Sequence, residues 1–286
     1  MWFRVNVPGI GVGYRYGSSV YLNANFALTS AHTVTDLLQY NPTYQVGTGA
    51  NYITNAGNSV SATVLVYPGF DPSNPGQTID LAIIHFAQPI AGPTVRLTNA
   101  AIGDVLSHAG FGDYGTPSTG EIHRDGNSRA FNAVLDTLPP LIGYTTNYYC
   151  STDFGPYISG NGKGLSGDSG GGVFDANRNL IGIMSAQTGN TDGVGSTIFL
   201  NLTSPDILSW ITSNTSLPAV RPVLSLDGLG NLTTTGATNQ VYGIQASINL
   251  QDWQEILVVT NQTGSVSVKD TNAGEFQARF YRAVLK

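Results

Sequence analysis

The chain has 286 residues, with 35 glycines, 14 prolines, 10% charged residues and a formal net charge of −6. It is long enough for two domains, and its Gly- and Pro-punctuated Val/Ile/Thr/Tyr runs read as mostly β structure with many turns. The acidic balance and the lack of a Lys/Arg cluster exclude a nucleic-acid partner, and no run of about 18 apolar residues marks a membrane span.

In chain order, residues 1–7 carry one arginine but no apolar core of signal-peptide length, so no export signal is visible. An apolar stretch at 21–28 runs into Thr29-Ser30-Ala31-His32. Residues 33–39, opened by a capping-type threonine, are the first of two helix candidates. The turn-rich segment 68–77 is followed by Asp80-Leu81-Ala82-Ile83-Ile84, which opens a β-branched run. The chain's one cysteine, Cys150, cannot form an intrachain disulfide and reads as a small core residue. Gly167-Asp168-Ser169-Gly170-Gly171 places a serine hydroxyl beside glycine backbone at an unobstructed turn. Residues 205–211 form the second helix candidate, with Ser204 as N-cap and Pro205 in the first turn.

After Asn214 the character changes. The two prolines of 216–222 read as a semi-rigid linker. Beyond it lie short β-type runs at 223–226, 241–247, 253–260, 265–269 and 276–285, separated by turn signals. About 65 residues suffice for a small β-sandwich with a modest core.

A serine is a poor nucleophile until a base takes its proton and a third group orients that base. His32 and Asp80 are candidates for those two roles. Taken singly each residue has an ordinary structural explanation, and Gly-x-Ser-Gly occurs by chance in Gly-rich chains. The order His32, Asp80, Ser169, each in its own local context, is what carries the reading. The spacings of His, Cys and carboxylate suggest no zinc site and imply no cofactor; His85 and His123 have no assigned role.

On these three motifs the chain resembles the trypsin-like (chymotrypsin-fold) serine peptidases. Gly110-Phe111-Gly112 is similar to the turn that starts the family's second barrel, Gly182-Ile183-Met184-Ser185 to the strand lining its cleft, and 207–211 to its closing helix. The likeness spans about 11–214. It implies an all-β fold of two six-stranded barrels, the second starting near 108, with a short helix. The peptidase domain is then 1–214, the linker 215–222 and an accessory β-sandwich 223–286.

The implied chemistry is hydrolysis of protein or peptide substrates through an acyl-enzyme. His32 is the general base, Asp80 its orienter and Ser169 the nucleophile, with the backbone N–H groups of Gly167 and Ser169 as oxyanion hole. The family pattern puts Lys163 at the base of the substrate pocket, Ser185, Ala186 and Gln187 along one wall and Gly195 near the back. Lysine at the base favours an acidic substrate side chain; alternatively it points to water from the flexible run 159–164.

Two departures from the family accompany the resemblance. Only 31 residues precede His32, so the amine that pairs with Asp168 in cleavage-activated members is expected to be missing, and His108, or failing that Arg124 or Arg129, is expected to take its place. The family's disulfides are absent, which favours a bacterial origin. The stretch from Gln245-Ala246-Ser247 through Asp252-Trp253 to Arg279-Phe280-Tyr281-Arg282-Ala283 resembles small C-terminal modules of exported Verrucomicrobia and Planctomycetes proteins, which implies export; surface attachment, substrate or partner docking and stabilisation are the unit's open roles. The competing function class is a non-catalytic binding or adhesion protein that keeps the peptidase fold.

Overall fold

A computed structural model describes the chain apart from residues 9–14, 36, 94, 117, 138–140, 153–161, 190–194, 216–222, 228–229, 236–239 and 263–264. The expected linker therefore lies almost wholly outside the described residues. The rest divides into two compact units, Met1–Arg96 with Ala100–Leu202, and Leu97–Asn99 with Thr203–Lys286.

In the first unit, strands β1 (Trp2–Asn6), β2 (Arg15–Ser18), β3 (Val20–Asn23), β4 (Phe26–Thr29), β5 (Thr43–Gly47), β6 (Ser59–Val66) and β7 (Ala82–Phe86) form one seven-stranded sheet in the order β2-β1-β5-β6-β7-β4-β3. The two edge strands, β2 and β3, are separated in sequence by Ser19 alone, so the sheet must curl back almost onto itself. Counted as one bent strand they give the expected six. Phe3, Val5, Val46, Ile84 and Phe86 fill the interior.

The second barrel closes fully. Its strands are β8 (Val105–Gly110), β11 (Arg129–Thr137), β12 (Tyr148–Thr152), β13 (Gly172–Phe174), β14 (Leu180–Gly189) and β15 (Gly195–Asn201), in the closed order β11-β12-β15-β14-β13-β8. The short hairpin of β9 (Tyr114–Thr116) and β10 (Gly120–Ile122) stands apart from it. Leu106, Leu135, Val173, Ile181, Met184 and Phe199 make the core, each contributing about 1.5–3 kcal/mol by burial. A further cluster of Trp2, Tyr52 and Phe111, with Tyr16 stacked on Tyr52 at 4.1 Å between centroids, joins residues of the two barrels.

The first helix is a single turn, α1 (His32–Thr35). It starts one residue earlier and stops sooner than the sequence suggests, and a separate 3-10 turn covers Leu38–Tyr40. In the second unit, α2 (Pro205–Thr215) runs four residues past the expected end. Ile207, Ile211 and Thr215 continue one buried stripe, and the Thr215 hydroxyl closes the last turn on the Ile211 carbonyl at 2.6 Å.

The remaining strands form two three-stranded antiparallel sheets. One holds β16 (Val223–Leu226), β17 (Asn231–Thr235) and β20 (Ser265–Lys269), the other β18 (Gln240–Ser247), β19 (Gln254–Asn261) and β21 (Phe280–Leu285). The central strands bury alternate residues, Leu232 and Thr234 on β17, Tyr242, Ile244 and Ala246 on β18. That is the pattern of two sheets sharing a core. Strand β17 is the one the sequence reading omits, because its Asn-Leu-Thr-Thr-Thr run has only one apolar residue.

Candidate active site

Strand pairing brings His32 and Asp80 together. β4 and β7 are antiparallel neighbours in which Thr29 faces Ala82. The chain leaves β4 three residues before His32 and enters β7 two residues after Asp80, at the same end of the sheet. The Asp80 carboxylate is fully buried and accepts from the His32 backbone N–H at 2.8 Å on Oδ1 and from the ring Nδ1 at 2.7 Å on Oδ2. With Nδ1 as donor, Nε2 carries the lone pair that a general base needs.

Two residues of the second barrel finish the Asp80 environment. Ser185 sits at a β-bulge between Met184 and Ala186, which turns its hydroxyl onto Asp80 Oδ2 at 2.5 Å. Tyr148, fully buried, accepts the Asp80 N–H at 3.0 Å and reaches the Pro75 and Thr78 carbonyls at 3.0 and 2.8 Å. Burial pushes the Tyr148 phenol well above its ordinary value, so it stays a neutral donor. The sequence reading has Ser185 only as a pocket wall and misses Tyr148, because neither contact is local in sequence.

Ser169 sits at the turn that enters β13. Gly170 donates to the Met184 carbonyl at 2.7 Å and Met184 to Gly171 at 2.9 Å, which fixes the turn beside β14. Gly170 has a φ of +83°, and a Cβ there would lie 2.1 Å from Thr29 Oγ1 and 2.9 Å from the Ser30 nitrogen. The serine turn is thus pressed against the segment that leads into His32, at a spacing only glycine permits. Ser169 Oγ makes no hydrogen bond among the described residues; catalytic hydrogen bonds often tighten only when substrate is in place.

The backbone N–H groups of Gly167 and Ser169 also have no acceptor among the described residues. Gly167 adopts a φ of +92°, and the carbonyl before it, Ser166 O, accepts the Asp113 N–H at 2.8 Å. Because carbonyl and N–H point oppositely across a trans peptide, that bond turns the Gly167 N–H away from Asp113. A cavity of about 160 Å³ adjoins the serine, lined by Gly164, Leu165, Ser166, Asp168, Ser169, Met184, Ser185, Ala186, Gln187 and Thr197. Residues 185–189 of β14 have β15 on one side and no strand on the other among the described residues.

Two expected pocket residues are placed elsewhere. Lys163 does not line the cavity; its ammonium reaches the Thr188 carbonyl at 3.4 Å. Asp168 is the one charged side chain among the described lining residues, and Gly164 donates to the Thr197 hydroxyl at 2.8 Å beside Met184. Gly195 pairs with Gly189 at the end of the β14–β15 ladder and is not a lining residue.

The expected partner of Asp168 is also corrected. His108 is fully buried, stacks on Phe131 at 4.7 Å, and meets the Ser151 hydroxyl through Nε2 at 3.0 Å. Its neighbours Ser107 and Ala109 flank it on β8, and it shares the inward face with Leu106, so it points into the barrel core. Asp168 accepts from the Gly112 N–H on Oδ1 at 2.8 Å and from the Leu165 N–H on Oδ2 at 2.9 Å. Gly110 and Gly112 make the slot: a Cβ would fall 2.1 and 2.7 Å from Asp168 Oδ1. Arg124 lies nearby, near enough that a Cβ on Gly167 would meet its Nη1 at 2.3 Å, and it is anchored by Asp113 at 3.4 Å. Arg129 is engaged with Asp125 through two bonds of 2.8 Å.

Burial pushes the Asp168 carboxyl up to about 6, with the two N–H donors and Arg124 pulling the other way. Burial alone pushes His108 down to about 3. The two groups tilt stability in opposite senses. An acid raised on folding weakens the fold as pH climbs from 3.8 to about 6; a base lowered on folding weakens it as pH falls from 6.5 to about 3. His108→Phe isolates the second contribution. Relative to wild type, its unfolding free energy is expected to improve by about 1.4 kcal/mol per pH unit below 6.5. A difference independent of pH between 4 and 7 in denaturant titrations would contradict a buried, neutral His108.

Cys150 is half-buried and its thiol is raised by burial, so it is not primed as a nucleophile. No helix among the described residues is long and apolar enough to cross a membrane. A family model described as Trypsin matches residues 10–211. No curated protein matches the chain.

Proposed function

The chain belongs to the trypsin family of serine peptidases, and on that premise we propose that it is an active endopeptidase working through His32, Asp80 and Ser169. The observation that carries the reading is the buried Asp80 carboxylate bonded to His32 through both the backbone N–H and Nδ1. In this reading His32 Nε2 removes the Ser169 proton as Oγ attacks the substrate carbonyl. The Gly167 and Ser169 N–H groups receive the oxyanion, and His32 returns the proton to the leaving amine, which departs to leave the acyl-enzyme. Water then attacks the ester, giving its proton to His32, which passes it to Ser169 Oγ as the bond to the acyl group breaks and the acid product leaves.

The open edge of β14 at 185–189 suits an extended peptide, which can add to it as a strand. Asp168 is the one charged side chain among the described lining residues, and its carboxylate is held by the Gly112 and Leu165 N–H groups, which favours an uncharged side chain before the scissile bond. Export is part of the reading and rests on the family and on the C-terminal module's likeness to exported proteins.

The test is to incubate an unfolded protein with the enzyme and to read the new termini by mass spectrometry. New termini clustered after uncharged residues, absent with Ser169→Ala, are expected; an intact substrate would overturn the reading. The slot around Asp168 supplies a second check. Gly110→Ala drives a methyl into the carboxylate and is expected to lower kcat roughly 100- to 1,000-fold, the scale of a lost oxyanion donor. Unchanged kcat in a folded variant would show that Asp168 does not shape the hole.

A further inference from the structure

We infer that Ser18, on the first barrel, is a positioning residue for the oxyanion hole on the second; this rests on the peptidase reading above. Ser18 ends β2 and is fully buried. Its hydroxyl has both of its roles assigned. It donates to the Gly167 carbonyl at 2.7 Å and accepts the Phe111 N–H at 2.8 Å.

The need for such a residue follows from Gly167. With a φ of +92°, it holds a conformation that glycine enters and leaves with little penalty, so its own backbone does not fix where its N–H points. The peptides on either side do. The one before is pinned at the Ser166 carbonyl by the Asp113 N–H at 2.8 Å. The one after is pinned at the Gly167 carbonyl by Ser18, while its N–H, that of Asp168, donates to Leu165 O at 3.0 Å. Removing the Ser18 hydroxyl takes away one of the two anchors of the second peptide and leaves two buried backbone groups, Phe111 N–H and Gly167 C=O, without their partner.

The same residue fixes the serine turn from a second direction. The Ser18 carbonyl accepts the Thr29 hydroxyl at 2.9 Å, and it lies 2.6 Å from where a Gly170 Cβ would be. Gly167, Gly170 and the segment before His32 therefore all register against one residue of β2. Arg124, whose Nη1 also bonds the Tyr16 carbonyl at 3.3 Å, lies against the same glycine and joins the loop to the same strand.

The experiment compares Ser18→Ala and Ser18→Thr with wild type, using a peptide substrate, a peptide boronate that forms a tetrahedral adduct with the serine, and the cleaved product peptide. Because Ser18 acts through Gly167, Ser18→Ala is expected to lower kcat about 10- to 100-fold, below the full loss of an oxyanion donor. Boronate affinity should weaken by a similar factor, while KM and product affinity stay within about twofold. Ser18→Thr, which keeps the hydroxyl, should recover most of the loss. Far-ultraviolet circular dichroism selects conditions in which each variant is folded; if Ser18→Ala does not fold, Ser18→Gly replaces it with the same expectation.

Unchanged kcat in the folded variant overturns the inference. So does an equal loss of product affinity, which would mark a general distortion of the cleft. A wild-type chain that neither hydrolyses the peptide nor binds the boronate overturns the peptidase reading itself, an outcome distinct from either.

Discussion

Replacing Ser169 by alanine is expected to lower kcat by about a millionfold, equivalent to about 8 kcal/mol of transition-state stabilisation. Without Oγ no acyl-enzyme forms, and only the oxyanion donors and substrate binding remain to assist a direct attack by water. His32→Ala should cost about as much, since the Ser169 proton then loses the base that takes it. The double variant should fall little further, because the two groups act as one unit. Stability is expected to be nearly untouched in Ser169→Ala, since its hydroxyl has no hydrogen bond among the described residues. Steady-state kinetics on the three variants decide the matter. Losses that add on a logarithmic scale would show that His32 and Ser169 do not work on the same proton.

Asp80→Asn is the second large effect, expected at about ten-thousandfold in kcat. The carboxylate accepts three hydrogen bonds: from the His32 N–H, from His32 Nδ1 and from the Ser185 hydroxyl. An amide has one oxygen, so its NH2 must occupy one of the two acceptor positions. If the oxygen keeps the backbone N–H, the NH2 faces Nδ1, and the ring must present a lone pair there. The proton moves to Nε2, and the base toward Ser169 is lost. The measurement is kcat together with the rate at which a serine-directed fluorophosphonate labels the variant. Both should fall in parallel, with substrate affinity nearly unchanged. A drop confined to KM would contradict an orienting role for Asp80.

Much of the candidate site was legible because its motifs are local. Thr29-Ser30-Ala31-His32, Asp80-Leu81-Ala82-Ile83 and the glycine-flanked Ser169 each declare themselves within five residues, and the order of the three implied the barrels. What was not legible depends on long-range register. The resemblance pairs His108, two positions before Gly110-Phe111-Gly112, with Asp168, yet on a strand the face decides. Alternation with Leu106 sends His108 into the barrel, a period-two pattern carried by the strand itself. The same glycines that looked like a turn prove to be the slot for the Asp168 carboxylate.

Other misses have similar causes. The resemblance puts Lys163 at the base of the pocket, whereas its ammonium reaches the Thr188 carbonyl. Ser185 lines the cavity with Ala186 and Gln187, but its bond to Asp80 is not legible because a bulge cannot be seen in an apolar run, and the extra residue re-aims its hydroxyl. Ser18 and Tyr148 carry no local signal at all. They touch partners 149 and 68 positions away in sequence, pairings made where one barrel packs against the other. In the C-terminal unit, five of six strands follow from apolar runs, while β17 hides two inward residues among threonines.

The central claim is that Ser169 is an activated nucleophile, and covalent labelling tests it most directly. The protein is treated at neutral pH with a fluorophosphonate probe, and the intact mass and the modified peptide are read by mass spectrometry. One adduct per chain is expected, located on Ser169, with Ser169→Ala and His32→Ala unlabelled. A folded wild-type chain that takes no label, or takes it at another residue, would contradict the account and leave the non-catalytic binding reading ahead.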